Sequence, residues 1–176
     1  MEIRSGGTVS STTPGTLRGY AAVYNSMSRD LGGFFEIVTP GAFDQSLKNP
    51  ENIIALFEHD TRQILGRCGS GTLKLFNDSY GLGFELILPD TSYAKDLTTL
   101  VERGDITGCS FGFRTHPNGD NWQNTDGKLI RSLVSVELFE ITVSSNPAYL
   151  DTSVARRNIP RASGRCLNVL FLETVA

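Results

Sequence analysis

"LIRSLVSVELFEITV", residues 129–143, is the longest stretch of the chain that reads as a β-strand. Apolar and β-branched residues dominate it, and neither glycine nor proline breaks it. Two carboxylates interrupt the run, Glu137 and Glu140. Three positions apart, they point to opposite faces of a regular strand. Alternation groups Glu140 with Val134, Val136 and Leu138, and Glu137 with Phe139, Ile141 and Val143. Neither group is polar, so neither carboxylate is marked as facing solvent. A carboxylate on an apolar face needs a partner, and an imidazolium would serve.

Working back along the chain, "HPNGDNWQNTDGK" (116–128) reads as an exposed hairpin loop. Before it comes "GDITGCSFGF" (104–113), with three glycines, Cys109 and Ser110. Glycine weakens a strand interior and marks a bulge or a close backbone approach. A strand that only filled a core would not be built this way. Ser92–Arg103 is the clearest helix: Tyr93, Leu97, Leu100 and Val101 share one face. Thr91 or Ser92 can cap its start and Gly104 its end.

Further strands are expected at 17–25, 32–40, 52–59, 71–78 and 81–89, with a turn at 78–81 and a short helix at 42–47. Many short strands with one long helix point to a β-rich α+β fold, a barrel or sandwich carrying a few helices. Residues 1–16, rich in Ser, Gly and Thr, read as a flexible lead-in, and 17–150 as the main domain. From 151 to 176 the chain reads as a basic linker, with Arg156, Arg157, Arg161 and Arg165, and then an apolar tail.

The chain of 176 residues carries a net charge of −3, which gives no reason to expect nucleic-acid binding. No apolar run approaches the ~20 residues that cross a bilayer, so no membrane partner is expected. The N-terminus has no signal-peptide core. Three cysteines at unrelated spacings suggest neither a disulfide framework nor a metal site. No cofactor and no metal are expected: "GSG" (69–71) lacks the Lys and helix of a phosphate loop.

Hydrolysis by a side-chain nucleophile needs a base and a group to orient the base. With only two histidines, the candidates for base are His59, ending an apolar strand, and His116, opening the polar loop. Ser110 and Cys109 are rival nucleophiles, and adjacent strand residues face opposite ways. Each also has a plain structural reading: a small polar strand residue, a buried thiol, a surface histidine, a solvent-facing glutamate.

"GYAAVYN", "FFEIVTPGAF", "ALFEHD", "LGRCGSGTLKL", "GLGFELILPDT", "RGDITGCSFGF" and "VSVELFEITVSSNPAY", in this order, resemble the tailed-phage (caudoviral) prohead maturation proteases. The resemblance runs from about Leu17 to Arg157. It implies a serine endopeptidase with a herpesvirus-protease-like fold, a closed or nearly closed β-barrel flanked by a few helices. It also implies His59 of "EHD" as general base and Ser110 of "CSFGF" as nucleophile. The herpesvirus assemblins place a second histidine third, but this chain has none after His116, which lies six residues past Ser110 in a loop. We therefore expect Glu140 in the third role, with Glu137 as the alternative. Gly108 and Gly112 would let a substrate carbonyl approach, with N–H groups near Ser110 stabilising its oxyanion.

The substrates so implied are major capsid protein and scaffold segments, and the chain itself, with self-association inside the procapsid in the host cytoplasm. Two other readings stand beside this one: a non-catalytic capsid-assembly or scaffold module on the same barrel, and a cysteine hydrolase using Cys109.

Overall fold

The computed structural model describes residues 2–13 and 15–145. The expected boundary near 151 and the tail beyond it lie outside the described residues. In chain order the elements are β1 (Glu2–Thr13), β2 (Thr16–Val23), β3 (Phe35–Val38), α1 (Asp44–Lys48), β4 (Ile54–Phe57) and β5 (Asp60–Arg67). Then come β6 (Leu73–Asn77), β7 (Gly81–Ile87), α2 (Ser92–Arg103), β8 (Gly108–Thr115), β9 (Asp120–Thr125), β10 (Lys128–Leu133) and β11 (Val136–Ser144).

Eight strands form one sheet in the order β5-β4-β11-β8-β1-β2-β7-β6, and β3-β10-β9 form a second. The large sheet is antiparallel except where β11 runs parallel to β4. The β-rich character with few helices is as the sequence predicts. The closed barrel is not: the large sheet is open, with β5 and β6 as its edges. The sheet coils until the ends of the strand order approach each other. A Cβ on Gly66 of β5 would sit 2.6 Å from Leu86 Cδ1 of β7. The strands meet there by side-chain packing and through Thr72, whose Oγ1 accepts from Arg67 N–H (3.0 Å) and whose carbonyl accepts from Ile87 N–H (2.8 Å). No ladder joins β5 to β6, so the cylinder is not sealed.

Two other expectations are overturned. The flexible lead-in expected at 1–16 is replaced over 2–13 by β1, a central strand between β8 and β2. Its Ser/Gly/Thr composition shows no apolar alternation, so the ladder on both flanks, not a hydrophobic signal, places it there. The 129–143 run is not one strand. It divides at Val134-Ser135, whose N–H groups both bond Gly119 O (2.8 and 3.0 Å). A Cβ on Gly119 would lie 2.1 Å from Ser135 O, so only glycine permits this close pass. β10 joins the small sheet, antiparallel to β9 and parallel to β3, and β11 joins the large one. The 116–128 excursion is indeed a hairpin arm, but it carries a strand of its own. Its turn is Asp126-Gly127, both at positive φ (52° and 75°), a two-residue loop favoured by this pair.

The main core lies on one face of β8 and β11. Phe111 and Phe113 stack (5.2 Å between centroids), and Phe43 meets Phe111 edge-on at 5.4 Å. Cys109, Ile141 and Val143 belong to the same cluster. α2 buries Ala94, Leu97 and Val101 and ends at Gly104. A smaller core, Leu31 and Phe34 with Trp122 and Leu129, packs around the small sheet. Beside it the Arg131 guanidinium is fully enclosed. It donates to Glu36 (3.2 Å), Asp120 (2.7 Å) and Thr115 Oγ1 (2.6 Å), and lies 5.5 Å from the Trp122 ring centroid.

Candidate active site

β8 and β11 are neighbours, and their register decides which side chains meet. Ser110 pairs with Thr142, and Cys109 with Val143. Directly opposite residues hold their Cβ atoms roughly 4.5–5.5 Å apart on one face. Ser110 and Thr142 therefore share the face away from the phenylalanine core, whereas Cys109 faces into that core. Burial pushes the Cys109 thiol up to about 12. A thiol so buried and so reluctant to ionise, on the wrong face, is no rival to Ser110.

The carboxylates are sorted by a β-bulge. Leu138 pairs with Phe113, and the next pair is Glu140 with Gly112, so Phe139 is an extra residue on β11. Without it, alternation would keep Glu140 on the face of Val136 and Leu138. With it, the phase inverts: Leu138, Ile141 and Val143 face the core, and Glu140 and Thr142 face the same way as Ser110. Bulges re-aim side chains in this manner next to functional sites. The neighbours of β11 change at the same point. Up to Leu138 they are Ala42, whose carbonyl accepts from Val136 N–H, and Ser46, whose hydroxyl donates to Val136 O and accepts from Leu138 N–H (both 2.8 Å). From Glu140 onward β4 takes over. The opposite-face reading of the two glutamates is thereby corrected. Glu137 pairs with Arg114, four residues along β8 from Ser110, lies about half exposed and reaches Arg114 at 3.6 Å. It has no contact with His59.

His59 reaches Glu140: Nδ1 lies 2.7 Å from Oε1. An ionised carboxylate only accepts, so Nδ1 carries the proton and the lone pair of a neutral ring is left on Nε2. Nε2 is buried without a hydrogen-bond partner among the described residues, and so is Ser110 Oγ. Glu140 is itself buried, and Thr142 Oγ1 makes a longer contact to it at 3.4 Å. His116 follows the end of β8, six residues from Ser110, roughly 20 Å along an extended strand. The geometry thus sets the His59 ring against the Glu140 carboxylate, puts Ser110 on the sheet face that Glu140 shares, and leaves His59 Nε2 and Ser110 Oγ without partners among the described residues.

His59 is not a strand residue. Phe57 pairs with Asp60, so Glu58-His59 is the two-residue loop between β4 and β5. Both residues have left-handed φ, 50° and 57°. Such loops favour Asn-Gly, and a side chain like these held there costs on the order of 1–3 kcal/mol. Glu58 anchors the turn. Its N–H donates to Val143 O (3.1 Å), and its carboxylate accepts from Ser144 Oγ and Ser145 N–H, each at 2.7 Å. On the far side Arg62 grips Asp60 with its backbone N–H, Nε and Nη2, all at 2.9 Å, and holds that carboxyl down at about 2.

Burial pushes the Glu58 carboxyl up, but the hydrogen bonds from Ser145 and Ser144, with the nearby His59, outweigh it and hold the group below 4.5. A carboxyl with a depressed folded value adds stability that is complete above the unfolded value and is lost as pH falls through the folded one. Urea midpoints should therefore fall on acidification below about 4.5 more steeply in the wild type than in Glu58→Gln. Parallel curves for the two proteins would remove this linkage.

β8 is an interior strand with ladders to β11 and β1. The expected run of exposed N–H groups around Ser110 is thus not a feature of β8 itself. Its β1 flank is interrupted beside the serine: Ser5 pairs with Ser110 and Gly7 with Cys109, leaving Gly6 as a bulged residue.

A family profile described as Caudovirus prohead serine protease matches residues 1–163 of the chain. The chain belongs to that family. It is also 29% identical over 144 residues to the prohead protease of Enterobacteria phage HK97. That match takes in 80% of this chain and 59% of the phage protein, so the chain spans little more than half of that relative's length. No solved structure matches the chain. Of the residues around this family member's site, sequence reasoning passed over Glu58, Thr142 and Ser144. Thr142 was two residues from Glu140, and Glu58 was the first member of the charged triplet 58–60.

Proposed function

We propose that the chain is a serine endopeptidase of procapsid maturation, with Ser110 as nucleophile, His59 as general base and Glu140 as the group that orients and charges the base. The observation that carries this is the 2.7 Å contact of His59 Nδ1 with Glu140, which leaves Nε2 without a partner among the described residues, while Glu140 shares a sheet face with Ser110, whose hydroxyl is likewise unpartnered there. In the reaction Ser110 Oγ adds to the scissile carbonyl as its proton passes to His59 Nε2. The C–N bond then breaks, and Nε2 returns the proton to the leaving amine. Water, deprotonated by the same nitrogen, then adds to the acyl carbon; the ester bond to Ser110 Oγ breaks as Nε2 returns the proton to that oxygen, and the product leaves as a carboxylic acid that loses its proton to solvent. Glu140 stabilises the transient imidazolium and keeps the ring in the required tautomer.

Family membership supports capsid-protein and scaffold segments as substrates, with the chain's own tail among them, and self-association within the procapsid interior. The coiled sheet, whose β5 and β7 approach each other, supports a herpesvirus-protease-like architecture left open along one seam. One observation favours the rival reading, a non-catalytic assembly module: Ser110 is fully buried, so a peptide reaches it only if the cover over this face moves.

A fluorophosphonate probe decides between them. Incubated with the full chain, alone and assembled with capsid protein, it should label Ser110 and no other residue by peptide mass mapping, and Cys109→Ser should label like the wild type. No label on Ser110 in assembled particles would sink the protease reading and leave the assembly module.

A further inference from the structure

We propose that Glu58 is a positioning residue, holding the His59 imidazole in place through the left-handed turn the two residues share; this rests on the protease reading above. Nothing in the turn's own conformational preference calls for glutamate. At φ 50° glycine or asparagine is the comfortable occupant, and glutamate resists that conformation. What glutamate supplies is a carboxylate long enough to reach the end of β11. Both its oxygens are used there, one by Ser144 Oγ and one by Ser145 N–H. β11 also carries Glu140, the group that His59 Nδ1 meets, and pairs Thr142 with Ser110. One strand therefore fixes the turn, the imidazole and the serine in a single frame. Without the carboxylate, the turn keeps one backbone bond to that frame, from Glu58 N–H to Val143 O. The imidazole would then sample positions away from Glu140, and displacement of a catalytic group by ~1 Å can cost about 10² in rate.

The discriminating variant is Glu58→Gly, which removes the carboxylate and at the same time accepts the left-handed φ freely. Three measurements on the full chain test it: the rate of fluorophosphonate labelling at Ser110, the urea midpoint, and the low-field imidazole N–H proton resonance of His59. We expect labelling about 10²-fold slower than wild type, a midpoint close to wild type, and a broadened N–H resonance. Glu58→Gln keeps an acceptor for Ser145 N–H, so it should recover part of the rate and sharpen the resonance. Wild-type labelling and resonance in Glu58→Gly would overturn the positioning role while leaving the protease reading intact. A rate loss matched by a proportionate fall in the midpoint would overturn it in favour of a merely structural role. Absence of Ser110 labelling in the wild type would sink the protease reading, and the positioning role with it.

Discussion

Ser110→Ala is expected to lower turnover by about 10⁶, and Glu140→Gln by about 10⁴, in a chain that still folds. The first figure is the scale of nucleophile loss in a serine protease whose triad acts as a unit. The second is the scale for an orienting carboxylate replaced by its amide, which can stabilise the wrong tautomer of the base. Both follow from the His59–Glu140 contact and the placement of Ser110 on the same face. Glu137→Gln should stay within a few-fold of wild type, because its exposed pairing with Arg114 is worth no more than about 1 kcal/mol. Co-expression with capsid protein, read by intact-mass spectrometry at timed intervals, measures all three. If Glu137→Gln proved the more damaging of the two glutamate variants, the role would pass to Glu137 and the bulge at Phe139 would lose its meaning.

The largest loss of stability is expected from Arg131→Met, about 3–5 kcal/mol, because it strands a buried carboxylate. Arg131 and Glu36 each expose about 2% of their side chains, so neither ion has water to fall back on. Asp120, the other carboxylate on the guanidinium, keeps 23% exposure and suffers less. Replacing both buried ions, Arg131→Met with Glu36→Leu, should recover much of the loss, since removing a buried pair together avoids the uncompensated charge. Urea denaturation of the two variants tests this. A single variant as stable as wild type would show that water enters the small sheet and solvates Glu36.

The sequence was most legible where local chemistry and tertiary position agree. α2 has an apolar face and a terminal glycine, and it forms where the periodicity puts it, although its N-cap residue Thr91 makes no side-chain capping hydrogen bond. The turn at 78–81 is closed by Asp78, whose carboxylate accepts from Tyr80 and Gly81 N–H groups, as Asp and Gly there suggest. Legibility failed where long-range pairing overrides a local pattern. β1 lacks apolar alternation and is held between β2, which follows it directly, and β8, which comes from a distant part of the chain. The division at Val134-Ser135 carries no breaker residue, and its cause, the carbonyl of Gly119, lies fifteen residues upstream of Val134. His59 reads as a strand end because Glu-His does not look like a two-residue loop. Among the glutamates, constant alternation places Glu140 with Leu138, and only the pairing partner on β8 reveals that the count slips by one.

That slip makes length, rather than composition, the sensitive property of β11. The strand is two halves of opposite parity, joined at Phe139. Most substitutions at Phe139 would leave the halves in step, because the extra residue is needed as backbone more than as side chain. Deleting it would not be a local loss. Every residue from Glu140 to Ser144 would change sides, sending a carboxylate and two hydroxyls into the phenylalanine core and turning Ile141 and Val143 toward Ser110. A protein that tolerates exchange of one aromatic for another at this position should therefore fail outright when the chain is one residue short.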